Sequence, residues 1–203
     1  RQEYSPFRHI DAESLSERKV GKCVGLASGD KRGRIRGRGR EKERNRMSIA
    51  GMCLGEIETA GEFFDRSTSG LKEEHSDFAP APGMMTVAQQ VAHTAQTIDW
   101  FMEGAFRPEG FDMDFEGQMK AVMATTSLAA ARAWLEKALA NAKAVTAGKS
   151  DEELLVPLPA GPIMGGMPRT AIYSGIVDHT AHHRGALTVY ARLKGITPPM
   201  PYM

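Results

Sequence analysis

His179 and His183 stand four residues apart in Asp178-His179-Thr180-Ala181-His182-His183-Arg184-Gly185. Ile172 and Ile176 precede them and Leu187 and Tyr190 follow, and the series 172, 176, 179, 183, 187, 190 steps by four or three throughout. On a helix the two imidazoles therefore replace core positions on one face, ~40° apart and about one turn from each other. Both rings can converge on one ion. Burying two imidazoles without partners is costly, so the pair reads as nitrogen ligation rather than as two stacked core histidines. His182 lies ~60° from His179 on the other side and stays open as a substitute for His183. It falls toward the flank with Gly175, Ala186 and Val189, where a histidine facing solvent or a neighbouring helix is the plainer reading.

Two histidines leave a divalent ion under-coordinated, and a third ligand must come from another helix. His93 is the natural candidate, because His9 lies in a basic N-terminal segment and His75 lies between helices. Three neutral imidazoles with an open position describe a catalytic-type site for zinc, nickel or iron. No fourth protein ligand is evident to close it as a structural site.

Four helices must hold these residues. The first runs from about Ser48 to Arg66, with Ile49, Cys53, Ile57, Ala60 and Phe64 on one apolar face. Cys53 is there a small core residue. Phe78-Ala79-Pro80-Ala81-Pro82-Gly83 forms a rigid connector. The second helix opens on a capping box, Thr86 with Gln89, and places His93 at the flank of its apolar side, early in the helix. Trp100 is nearly in line with His93, and plain core is its simpler role. The acidic, Met-rich stretch Phe111–Ala124 reads equally as loop or short helix, its methionines as packing rather than a soft-metal site. The third helix follows a Thr125-Thr126-Ser127 cap, with a seam of Leu128, Ala131, Leu135, Ala138, Ala142 and Val145. Residues 154–167 read as an extended excursion or loose hairpin. The fourth helix takes Pro168 in its first turn, continues to Lys194 and stops at Gly195.

Charge divides the chain at Met47. Residues 1–46 carry 14 Lys/Arg against 7 Asp/Glu; residues 47–203 carry 12 against 18. The first part, with its Arg/Gly tract at 32–40, has too little apolar surface to offset chain ordering and is expected to be a disordered basic tail. Met47 opens the first helix and is the expected native start, with the upstream residues carried along. Arg/Gly tracts can contact nucleic-acid phosphates. No aromatic residue interleaves this one to stack bases, however, and the helical part is acidic, which argues against a nucleic-acid partner. No apolar run approaches the ~18–20 residues that span a bilayer, so no membrane partner is expected. The two isolated cysteines, Cys23 and Cys53, suit a reducing, cytoplasmic setting.

The run from Asp178 to Gly185 resembles the fourth-helix motif of the DinB/YfiT-like metalloenzyme superfamily, in which a His precedes a His-His-Arg-Gly-Gln run by three residues. Pro82-Gly83-Met84-Met85-Thr86-Val87 with Val91-Ala92-His93-Thr94 resembles the family's second-helix motif, and Leu193-Lys194-Gly195-Ile196-Thr197-Pro198-Pro199 its usual ending. The resemblance covers about Met47 to Met203 and leaves out the basic segment. It implies an all-α, four-helix up-down-down-up bundle, often a homodimer, with His93, His179 and His183 as metal ligands. It also implies relatives that include thiol-dependent isomerases and S-transferases handling low-molecular-weight thiols. Ala186 stands where the family commonly has Gln, which bears on the reaction and not on the three ligands.

Two functional expectations follow. In one, a metal-dependent enzyme uses the three-histidine site to activate water or a thiol for a small-molecule substrate, as a hydrolase or thiol transferase. Asp178, next to a ligand but ~100° away around the helix, is a candidate supporting group or base. In the other, the chain is a non-catalytic, stress-related metal-binding protein, because no nucleophile with a partner and no clear general base appears.

Overall fold

The computed structural model describes residues 48–203. The expected disorder of the basic segment 1–46 and the expected start at Met47 lie outside the described residues. Within them the protein is all helical. The α-helices are α1 (Ile49–Thr68), α2 (Val87–Phe106), α3 (Phe115–Ala124), α4 (Leu128–Ala147), α5 (Asp151–Leu155) and α6 (Ala171–Leu193), with a 3-10 turn at Glu73–His75.

The four long helices are the four read from periodicity, and their ends follow from local chemistry. Ser48 Oγ accepts from the Gly51 amide at 3.0 Å to start α1, and Asp151 Oδ1, from the start of α5, accepts from Ile49 N at 3.0 Å. Those first-turn amides have no partner within their own helix, so α5 anchors the N-terminus of α1. The helix runs two residues past Arg66, because Thr68 Oγ1 donates to Phe64 O and keeps the last turn closed. At α2 the capping box forms in both directions: Gln89 N donates to Thr86 Oγ1, and Thr86 N to Gln89 Oε1. At the end of α6, Gly195 has φ +76°. Ile196 N donates to Ala191 O and Gly195 N to Arg192 O, the paired bonds of a Schellman stop that only a left-handed residue closes without strain.

Three local readings are refined. Most of the Phe111–Ala124 stretch is helix, the 10-residue α3, started by Asp114 Oδ1 accepting from Gly117 N. Residues 154–167 contain the end of α5 and then a hairpin-like loop without strands. Leu158 N donates to Met167 O at 2.7 Å, and a single antiparallel bridge joins Pro157 and Pro168. Pro168 therefore belongs to that bridge and precedes α6, which begins at Ala171.

α1 packs against α4 and α6, and α2 packs against the same two helices; α3 lies on α2. The α2–α4 contact is the most extensive. Ala131, Ala138 and Ala142 line α4 there, fully buried, and their small side chains bring the backbones close. Ile57, Phe64, Val91, Ile98, Ile172 and Leu187 are also sealed from solvent. Each such aliphatic or aromatic side chain contributes roughly 1.5–3 kcal/mol by leaving water. Buried polar groups are paired across the helices. Trp134 Nε1 donates to Asp99 Oδ2 at 2.9 Å. Thr146 Oγ1 donates to Ala142 O, so Tyr173 Oη must donate to Thr146, at 2.8 Å. No described helix is long and apolar enough to cross a membrane.

Candidate metal centre

α2 carries Gln90, His93, Thr97 and Trp100 along one side at steps of three, four and three. α6 carries Gly175, His179 and His183 at steps of four. These two helices pack against each other, and the shared seam brings the three histidines together. Ring centroids are 5.0 Å apart for His93–His179, 5.0 Å for His93–His183 and 4.4 Å for His179–His183. One nitrogen from each ring lies within 4.8 Å of the others. The Nε2 atoms of His179 and His183 are 3.2 Å apart.

The hydrogen bonds around His183 fix which of its nitrogens faces the cluster. Tyr190 Oη donates its only proton to Met85 O at 3.1 Å. Its lone pair must then accept from the Gln90 amide Nε2, at 3.4 Å. The other end of that amide is oxygen, so the His183 Nδ1 in contact with Gln90 Oε1 carries the hydrogen and donates it. His183 Nε2 is left as a bare lone pair pointing at His179. Gln90 is 8% exposed and His183 6%, so neither amide nor imidazole can exchange these partners for water.

Three features fit a divalent cation. Two nitrogens held by one tetrahedral ion at ~2.0–2.1 Å are about 3.3 Å apart, close to the spacing of the Nε2 pair. His183 is held in the tautomer that leaves Nε2 available. Among the described residues His93 Nδ1 is buried with no hydrogen-bond partner, a polar atom left unsatisfied on a ring of the cluster. The donor set is all imidazole nitrogen, which suits zinc, nickel or iron over the oxygen-seeking calcium and magnesium.

Burial lowers the pKa of all three imidazoles, and repulsion among neighbouring histidines deepens the effect at each. His179 is pushed down to about 4, with the Asp178 charge opposing, and His183 to about 3. The rings are therefore neutral at physiological pH, the form a metal needs. The ordinary value is 6.5. Between that value and the folded ones, the unfolded chain holds more protons than the folded chain. Stability from these groups is accordingly intact above pH 6.5 and is lost as pH falls toward 3. In chelator, the melting temperature should drop between pH 7 and 4.5. It should drop less in a His183→Gln chain, whose side chain does not titrate; equal drops would assign the acid sensitivity to other groups.

A pocket of about 370 Å³ opens beside the cluster and is lined by His93 and His179, by Trp100 and by residues of α3 and of the loop before α6. Trp100 is half-buried in its wall rather than plain core. Asp178 is exposed at the same pocket; among the described residues it makes no hydrogen bond to a cluster imidazole. His182 is exposed, its ring edge-on to His183 at 4.9 Å. His75 is buried elsewhere, accepting from Lys72 N through Nδ1. Gln90 was not among the residues singled out by spacing, and Tyr190 was read there only as part of the apolar stripe. The signal was present: Gln90 is a polar residue between the apolar Val87 and Val91, one helical step from His93.

The comparisons with known proteins agree with this architecture. No curated protein matches the sequence. The solved structure of a DinB-like protein from Bacillus cereus is similar, with a TM-score of 0.59 and 23% identity; the match covers 75% of this chain and 97% of that one. At that identity the likeness is one of fold. The DinB family model matches residues 52–203, which include α2, α6 and all three clustered histidines. By that match the chain belongs to the DinB family.

Proposed function

We propose that this DinB-family chain is a metal-dependent enzyme in which His93, His179 and His183 hold one divalent cation, zinc, nickel or iron. The observation that carries the reading is the convergence of three imidazoles, from two helices, beside a pocket large enough for a small molecule that His93 and His179 line. When bound, such a cation would supply Lewis acidity that activates water or a thiol near neutral pH. The chain's own residues do the rest. Gln90 and Tyr190 hold His183 in its ligating tautomer. Thr97 Oγ1, 3.4 Å from His179 Nε2, borders the second imidazole. Trp100 and the residues facing it exclude water from the pocket wall. Hydrolysis or thiol S-transfer is the reaction class, with a low-molecular-weight thiol as a candidate co-substrate. An up-down-down-up order of the four long helices, a homodimer and a cytoplasmic setting complete the proposal.

One observation favours a non-catalytic, stress-related metal-binding role instead. Among the described residues no carboxylate is hydrogen-bonded to the cluster as a ready general base. Metal analysis of the purified chain, followed by hydrolase and thiol-transfer screens with and without chelator, separates the two. The enzyme reading expects about one equivalent of divalent metal per chain and turnover that chelator abolishes. Metal without chelator-sensitive turnover supports the binding role, and absence of metal overturns both.

A further inference from the structure

The walls of the pocket differ sharply from its histidine end. Trp100 is the centre of an aromatic group, with Phe101, Phe111 and Phe115 at centroid distances of 5.2, 4.8 and 5.9 Å. Its ring is locked by Nε1 donating to Asp112 O at 2.7 Å. Across from it stands Met164, on the loop before α6. Met164 has φ +47°, and among the described residues it is the one non-glycine in the left-handed region. An L side chain is disfavoured there, and such residues recur where a fold holds a side chain against a site. Met164 lines the pocket together with Gly175, whose bare Cα lets the Phe101 ring and the Met164 methyl pack close against α6. A Cβ at 175 would meet Phe101 Cζ at 2.8 Å and Met164 Cε at 3.1 Å.

Charge is equally one-sided. Among the described residues no Lys or Arg lines the pocket, and the one carboxylate is that of Asp178. Apart from the histidines, the other polar side chains of the lining are the Thr97 hydroxyl, beside His179, and the amides of Gln96 and Gln118, which are tied to each other at 2.8 Å. A carboxylate, phosphate or sulfonate on the part of a ligand lying against these walls would be stripped of water, given no cation and set near an aspartate. A flat apolar ring would instead stack against a rigid aromatic wall, the kind of contact that orients ligands in mostly apolar pockets.

We propose that the pocket between Trp100, Met164 and Gly175 binds the uncharged, ring-bearing body of a small molecule and presents its reactive group to His93 and His179. That this molecule is a substrate rests on the metal-enzyme reading; that the pocket takes an uncharged ring does not. Methyl phenyl sulfone and benzenesulfonate are near-isosteric probes that differ in charge. Their binding to the full chain is followed by ligand-observed NMR in EDTA, so that no metal attracts the sulfonate. The sulfone should bind, with the sulfonate at least tenfold weaker. Gly175→Leu, which displaces the pocket-lining Phe101 and Met164 side chains, and Trp100→Ala, which removes the wall, should each weaken the sulfone at least tenfold. Zinc uptake by calorimetry should stay within twofold in both variants, and circular dichroism shows that each is folded. Equal binding of the two probes, no binding of the sulfone, or sulfone binding that survives in a folded Trp100→Ala chain overturns the proposal. If the sulfone binds as expected while the parent takes up no zinc, the metal-enzyme reading falls and the ring pocket stands.

Discussion

The His183→Ala chain should bind divalent metal far more weakly than the parent, while His182→Ala binds it within about twofold. His183 is 6% exposed and directs Nε2 toward His179 at 3.2 Å, whereas His182 is exposed beside it. A site that binds zinc with an apparent free energy on the order of 10 kcal/mol and loses one of three protein ligands should lose roughly a third of it. That is about 3 kcal/mol, or somewhat more than a hundredfold in affinity. The alanine also leaves Gln90 Oε1 without its donor in a buried place, a cost of about 1–3 kcal/mol in stability. Metal affinity must therefore be measured by calorimetry on chains shown to be folded by circular dichroism. A folded His183→Ala chain with unaltered affinity, or a His182→Ala chain that loses metal, would move the ligand set off His183.

The choice between these neighbours shows how much spacing alone can decide. The stripe Ile172, Ile176, Leu187, Tyr190 already points inward, and the structure buries all four. His183, on that stripe, shares their burial, while His179, also on it, is half-buried where the pocket opens. The caps at Thr86 and Gly195 were equally legible, because each depends on the chemistry of a few consecutive residues. What spacing could not supply was anything set by two distant segments. Helix α3 owes its place to packing on α2, and its acidic, Met-rich sequence has no strong periodicity of its own. Pro168 looked like a helix opener, but its partner is Pro157, eleven residues back across a loop. Trp100 sits on an apolar side like any core residue; only the positions of Phe115 and Met164 turn it into a pocket wall. Tyr190 was legible as part of the apolar stripe, but its hydroxyl acts through Gln90 on another helix.

That buried relay sets the second large effect, in a residue that touches no metal. Gln90→Leu should weaken metal binding by roughly 10–100-fold, the range seen when a partner of a ligating histidine is removed. Leucine fills similar space, so packing changes little, but it accepts no proton from His183 Nδ1. The imidazole is then free to place its hydrogen on Nε2, and that tautomer has no lone pair for a cation. Tyr190→Phe should act in the same direction but more weakly, because Gln90 keeps its place against His183 and loses only the partner that fixes which way its amide points. Gln90→Glu still offers an acceptor and should retain affinity to within about tenfold. Nitrogen-15 NMR of the chelated chain supplies a readout that general loosening would not move. The parent should show His183 protonated at Nδ1, Gln90→Glu should keep that state, and Gln90→Leu should show a mixture of tautomers. If Gln90→Leu keeps both the Nδ1–H form and full metal affinity, His183 is oriented by packing alone and the Gln90–Tyr190 pair is ordinary core polarity.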